Sequence, residues 1–361
     1  MKKFVPYHLL KGQKAIVVDG YYHNGLVLSH WKGANTIHHI KDDTSAAIVL
    51  NALEKNIEGI DTEIISATHF DIDGFIGVWA LFYPELALKY TSTLKEVATI
   101  GDFRELNIQH PDTKHALQLV CWLNKIEAAN FYKPFGYLRL GLNEMEACAD
   151  KFEYCLKNFT DVLLNIEKYQ SEWEEEYNKV VDGLEKIKKA KITKYDDLKI
   201  IIIETPEPLH YYALFSVTKG YDVVISMYAN NRYEVEHKYT TWVDIARRTT
   251  FPRLHLKALA DILNNEEKSS QKWSANHYTD TGALLSLNSL ELDKETRFDS
   301  PYKRPILSST IEAEHFKNIV SDFFKQSYKN ISPKHNWTWA ETRKINQELF
   351  NIIEKDDSES Y

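Results

Sequence analysis

Apolar residues recur in two rhythms along this chain, short continuous runs and long stripes of steps of three and four. Ala15-Ile16-Val17-Val18-Asp19-Gly20 is a β-rich run closed by Asp-Gly, and Leu26-Val27-Leu28-Ser29 is another that stops just before His30. Both read as strands, with Asp19 and His30 at their ends. Thr44 to Lys55 carries a helical stripe capped by Asp42, Asp43 or Thr44. Glu63 to Ala67 reads as a strand, followed by a loop at His69 and an apolar helix after Gly74. Helices are also predicted at Glu85 to Thr91 and Thr113 to Asn130, so strands and helices alternate as in an open α/β sheet with helices on its faces.

Apolar positions then fall at 148, 152, 155, 159, 162, 166, 169, 173, 177, 180, 184 and 187, the signature of one long amphipathic helix, intact or broken, that links two domains. Its Trp173-Glu174-Glu175-Glu176 and Lys186 to Lys191 stretches read as a solvated face. Beyond it, Leu198 to Glu204 reads as a buried strand, Pro208 to Lys219 as a helix closed by Gly220, and Tyr221 to Tyr228 as a further strand. Ala229-Asn230-Asn231-Arg232 has turn chemistry and Tyr233 to Trp242 continues as a strand, giving a hairpin. The expected organisation is an N-terminal α/β domain over 1–145 with a mostly parallel sheet, a linking helix over 146–195, a smaller C-terminal α/β domain over 196–353, and a disordered acidic tail over 354–361. There is no internal repeat.

Composition changes this picture little. A chain of 361 residues with 43% hydrophobic positions can build two cores. A net charge of -8 argues against a protein that coats long nucleic acid, which needs clustered Lys and Arg. Cys121, Cys148 and Cys155 are few, odd in number and without C-x-x-C spacing, so neither a disulfide framework nor a thiolate zinc site is expected. Met1 to Leu10 lacks an apolar core, and no run reaches the roughly 20 apolar residues of a membrane helix. A cytoplasmic protein that uses no membrane is expected, with a homodimer left open.

The chemistry concentrates in Thr68-His69-Phe70-Asp71-Ile72-Asp73-Gly74. In extended backbone His69, Asp71 and Asp73, at i, i+2 and i+4, project to one side. An imidazole with two carboxylates suits Mn²⁺ or Mg²⁺, and Gly74 would turn the chain into a helix whose N-terminus favours phosphate. Two other Asp motifs are excluded: an EF-hand needs glycine where Ile76 stands, and the haloacid-dehalogenase pattern needs a hydroxyl or β-branched residue where Phe75 stands. The competing structural reading is a turn in which the aspartates cap the following helix.

This block resembles the first motif of DHH-type phosphoesterases, H-x-D-x-D-G, which follows a strand and holds two Mn²⁺ ions. Ile100-Gly101-Asp102 is similar to that family's second motif, which implies a metal-bridging role for Asp102. The Asp-His-His triplet of the family does not follow Asp102; Asp19 and His30 are the substitutes expected to complete the site, ahead of His38, His39 and the pair His110/Asp112. V-V-D-G, L-S-H-W, H-F-D-x-D-G and G-D-F also resemble the blocks of an uncharacterised bacterial family of unknown function, across most of the chain. In the second half, Trp242 to Arg248, Asn276-His277 and Thr281-Gly282 are faintly similar to the substrate domain that accompanies DHH domains, without its glycine run.

The expectation is therefore a phosphoesterase with two Mn²⁺ or Mg²⁺ ions, acting on a small phosphate ester or short nucleotide. His69 and Asp71 would bind one ion and Asp73 with Asp19 or His30 the other, Asp102 would bridge, and Arg247, Arg248 and His277 would hold substrate phosphate. The alternative is a non-catalytic nucleotide- or metal-binding protein on the same scaffold. A third reading, a structural protein built around the long helix, requires an exposed apolar stripe between 148 and 187.

Overall fold

The computed structural model describes residues 2–288 and 292–351, a mixed α/β protein with two sheets; the acidic tail predicted from Glu354 lies outside the described residues. The first sheet has strands β1 (Lys3–Phe4), β2 (Ala15–Val18), β3 (Gly25–Leu28) and β4 (Ile64–Ala67) in the order β1-β4-β2-β3. All of its pairings are parallel. Val18 pairs with both Leu28 and Ala67, so the C-terminal ends of three strands lie level. Asp19, Ser29-His30 and Thr68-His69 thus leave the sheet along one edge, where open α/β sheets gather their ligands.

The helices after those strands start at the same edge. α1 (Ser45–Glu54) is capped by Thr44, whose hydroxyl accepts from Ala47 N at 3.2 Å. α2 runs over Ile72–Phe82, three residues earlier than predicted. After α3 (Pro84–Lys89), α4 (Thr91–Phe103) returns toward α2 and ends at Arg104, in left-handed conformation with φ 58°. α4 fits there because Gly101 has no side chain: a Cβ on it would lie 2.5 Å from Ile72. Phe75, Trp79, Leu94 and Val97 form the core beneath, closed by Leu119 and Trp122 of α5 (Thr113–Asn130).

The linking stretch takes the broken form, in several pieces. Two short helices, α6 (Gly136–Leu140) and α7 (Glu144–Ala147), lead to α8 (Ala149–Leu164), a 3-10 turn over Ile166–Tyr169, and α9 (Gln170–Ile187). The break falls at Asn165, whose side chain donates to Asp161 Oδ1 at 2.7 Å while Tyr169 Oη donates to Asp161 Oδ2 at 2.6 Å. The apolar stripe is not free: Phe152, Cys155, Phe159, Ile166, Trp173 and Val180 are buried in the first core. This removes the exposed stripe on which a purely structural role depended.

The second sheet begins at Lys191, before the expected boundary. Its strands β5 (Lys191–Tyr195), β6 (Ile200–Thr205), β7 (Val223–Tyr228), β8 (Arg232–His237), β9 (Lys272–Ala275) and β10 (Leu284–Asn288) lie in the order β5-β6-β7-β8-β10-β9. Only β6 and β7 pair in parallel. The predicted hairpin turn is present, with Asn230 and Asn231 at φ 64° and 52°. The helix predicted over 208–219 shrinks to α10 (Tyr211–Phe215), because the hydroxyls of Ser216 and Thr218 bond back to Ala213 O and Phe215 O at 2.7 and 2.9 Å. The strand predicted to reach Trp242 stops at His237, where Lys238 turns inward to pair with Glu105.

Several polar contacts seam the two halves near the first sheet's edge. Lys238 binds Glu105, and Arg104 Nη2 donates to Phe298 O at 2.6 Å. Asp43 Oδ1 accepts from Ala246 N and Arg247 N at 2.9 and 3.0 Å, and His30 O accepts from Asp244 N at 2.8 Å. Among the described residues no helix is long and apolar enough to cross a membrane.

Candidate metal centre

Asp19 leaves β2 with φ 51°, a left-handed conformation that aspartate tolerates better than most residues. Its Oδ1 accepts from Ser45 Oγ at 2.6 Å. His30 follows β3; its Nδ1 donates to Asp43 O at 2.7 Å, which aims Nε2 at the carboxylates. That nitrogen lies 3.3 Å from Asp19 Oδ1, 3.7 Å from Asp73 Oδ2 and 3.8 Å from Asp102 Oδ2. His69 Nε2 lies 3.6 Å from Asp19 Oδ2 and 3.5 Å from Asp71 Oδ2. The donor atoms form two triads, Asp19-His69-Asp71 and Asp19-His30-Asp73, each within 4.8 Å, with Asp19 common to both.

His69, Asp71 and Asp73 converge by a different route from the extended segment predicted. Asp71 is the N-cap of α2, with Oδ1 accepting from Gly74 N at 2.7 Å and Oδ2 left for His69. Asp73 sits in the first turn of α2 and reaches across to α1, where Oδ2 accepts from Ser45 N at 2.7 Å and Oδ1 from Ala46 N at 2.8 Å. Helix capping and membership of the cluster therefore coexist. Gly74 serves close approach, since a Cβ there would lie 2.9 Å from Asp71 Oδ1 and 3.3 Å from Asp19 Cβ.

Asp102 lies in the last turn of α4. It belongs to neither triad, and the carboxylate common to both is Asp19. Its Oδ2 is buried without a hydrogen-bond partner and is aimed at His30. A buried, unpartnered carboxylate oxygen 3.8 Å from an imidazole suits a site that takes a cation.

The electrostatics agree with that fit. Burial pushes Asp102 well above the usual carboxylate range, and Asp73, Asp71 and Asp19 push it further against the pull of His30. Burial likewise lifts Asp73 to about 7. For Asp19 burial is outweighed by the hydrogen bond and charge of His30 together with His69 and Ser45, and its carboxyl stays below the usual range. Burial would lower both imidazoles, but Asp19, Asp102 and Asp73 hold His30 well above its ordinary value, and Asp71 with Asp19 brings His69 to about 9. Four carboxylates outnumber the two imidazoles even with both protonated, and such an oxygen-rich set with imidazole suits a hard or borderline divalent ion.

The triads differ in access. His69 and Asp71 keep 31% and 32% of their side-chain surface exposed, against 2% for both Asp19 and His30. The exposed triad opens on a cleft of about 800 Å³ between the halves, walled by Trp31, Tyr211 and Trp242 and carrying Lys133, Lys179, Lys294 and Lys303. A cavity of this size fits a small organic ligand.

His277, expected to hold substrate phosphate, lines the cleft. Arg247 and Arg248 do not: Arg247 Nη2 binds Asp42 at 2.9 Å, and Arg248 spans Asp222 and Thr240 at 2.5 and 2.9 Å, so both are engaged away from it. His38 and His39 form a 3-10 turn outside the cluster, and His110 contacts Ser92 and the Asp112 backbone. Sequence reasoning passed over Ser45 and read Asp43 only as a helix cap, whereas they orient Asp19 and His30. No motif marks them; only the fold brings them there.

Residues 1–335 match a protein family described as a family of unknown function (DUF6687). No curated protein matches the chain.

Proposed function

The chain belongs to this family of unknown function, and for it we propose the activity of a metal-dependent phosphoesterase that hydrolyses a small phosphate ester or short nucleotide in the cleft. The observation that carries this reading is the pair of His/Asp triads sharing Asp19 at the base of a ligand-sized cleft. Two adjacent divalent ions, when bound, supply a water acidic enough to ionise near neutral pH and a clamp for phosphoryl oxygens.

His69 and Asp71 would hold the ion nearer the cleft, His30 and Asp73 the inner one, and Asp19 both. Asp102 supplies a further carboxylate oxygen beside His30. Asp43 O keeps the His30 proton on Nδ1, and Ser45 Oγ fixes one Asp19 oxygen, as outer-shell groups do in metal sites. The cleft lysines would attract an anionic substrate, each at the expense of an existing acidic partner; Lys133 and Lys303 both pair with Asp299, at 3.3 and 3.2 Å.

A second reading, a binding protein with one ion, is favoured by one observation: both Asp73 oxygens already accept main-chain N–H groups. The deciding measurement is the metal content of protein purified without chelator, wild type against Asp71→Ala, Asp73→Ala and Asp19→Ala, followed by Mn²⁺-dependent hydrolysis of bis-p-nitrophenyl phosphate. The phosphoesterase predicts about two equivalents and turnover, with Asp19→Ala the most damaging because it depletes both triads. One equivalent without turnover selects the binding protein, and no metal in wild type under permissive conditions overturns both.

A further inference from the structure

A second cavity of about 490 Å³ opens at the seam between the halves, and His30 and Trp31 line it as well as the metal cleft, so the two spaces share a wall. The first half contributes His38 and Lys41, the second Asp244, Ala246, His335 and Asn336. The volume exceeds what a few waters need and falls in the range of small-molecule sites.

Its charge balance shows what it would take. The carboxylate of Asp42 is already met by Lys95 at 3.0 Å and Arg247 at 2.9 Å, and that of Asp244 by Lys32 at 4.0 Å. Lys41 feels Asp244 only through space. Among the described residues, the ammonium of Lys41 and the side chains of His38 and Asn336 make no hydrogen bond or ion pair. His335 Nδ1 is occupied by Ile245 O at 3.4 Å, leaving Nε2. Both acids have basic partners, and unpaired donor capacity remains on Lys41, His38 and His335.

We propose that this seam cavity is a second binding site, for a small metabolite with an oxyanion head, phosphate or carboxylate, held by Lys41, His38 and His335. The site does not depend on the phosphoesterase reading, because none of these three side chains belongs to the metal cluster. A ligand here would touch both halves and the His30 wall, so its binding and metal binding would influence each other by one and the same factor.

The test is calorimetric titration of inorganic phosphate, glycerol 3-phosphate and succinate into chelator-treated, metal-free full-length protein. At least one should bind with saturation, weakened more than tenfold by Lys41→Glu and abolished by Ala246→Trp, which fills the cavity, while Asp71→Ala at the metal cluster leaves it unchanged. Binding of the phosphates alone, or of succinate alone, identifies the head group. Absence of saturable binding by all three, or binding that Lys41→Glu leaves intact, overturns the proposal, and Lys41→Glu stays informative if Ala246→Trp fails to fold. Metal content and hydrolysis, measured separately, report on the other site.

Discussion

Both halves of this protein bury charge, and two of their buried clusters treat it in opposite ways. In the C-terminal half Arg304 grips Glu234 with two hydrogen bonds of 2.7 and 2.9 Å and gives a third donor to Arg297 O at 2.6 Å. Arg253 is wholly enclosed, bonding Thr241 Oγ1 at 2.7 Å and the carbonyls of Lys238, Tyr278, Asp280 and Thr281. That guanidinium holds the loop bearing Trp242 and the loop bearing Thr279, both of which wall the cleft. In the N-terminal half four carboxylates crowd two imidazoles, and Asp102 Oδ2 is left without a hydrogen-bond partner. Answered charge belongs to architecture; charge left in excess marks a place where something binds.

Substitutions should separate the two kinds. Arg304→Met strands Glu234 in the core and should cost about 4 kcal/mol, read by urea unfolding, with metal content per folded protein unchanged. An unchanged midpoint would mean that the pair is not architectural. Arg248→Ala, removing a partly exposed partner of Asp222, should cost about 2 kcal/mol without affecting substrate KM. A raised KM at intact stability would return Arg248 to the substrate site.

His237 tests the same idea through pH. Burial, helped by the Arg253 charge, lowers this imidazole to about 3, so the unfolded chain takes up a proton near the ordinary value of about 6.5 that the folded one refuses. Its contribution is complete above that ordinary value and is lost as pH falls, amounting to about 2 kcal/mol at pH 5 relative to pH 7.5. His237→Gln should unfold with a correspondingly flatter pH profile between those values, and equal slopes would refute the assignment. The smallest effect is expected at the cluster. Asp102→Asn removes one excess carboxylate and should stabilise the metal-free protein by about 1 kcal/mol while weakening Mn²⁺ binding; destabilisation would place Asp102 among the architectural charges.

The sequence carries the parallel sheet clearly, because its strands are short apolar runs ending at Asp19, His30 and Thr68. The types of residue at the cluster are equally legible. Their arrangement is not, since Asp71 and Asp73 adopt helical geometry and divide between two triads, which a period-two reading of extended chain cannot express. Periodicity found the stripe from 148 to 187, yet the break at Asn165 depends on local bonds to Asp161, and burial in the first core depends on tertiary packing. Arg247 and Arg248 look like anion ligands by type alone; Asp42 and Asp222, distant in sequence, claim them first.

The seam at His30 bears on how such a protein can be recombined. All six side chains of the cluster come from the first half, which suggests a cassette that could be cut out before β5 and joined to another domain. Yet the carbonyl of His30 is bonded to Asp244, and Asp43, which orients its ring, is pinned by Ala246 and Arg247. A graft without the 243–247 segment would inherit the ligands and lose their alignment, so shuffling within this lineage should preserve that segment together with the first half.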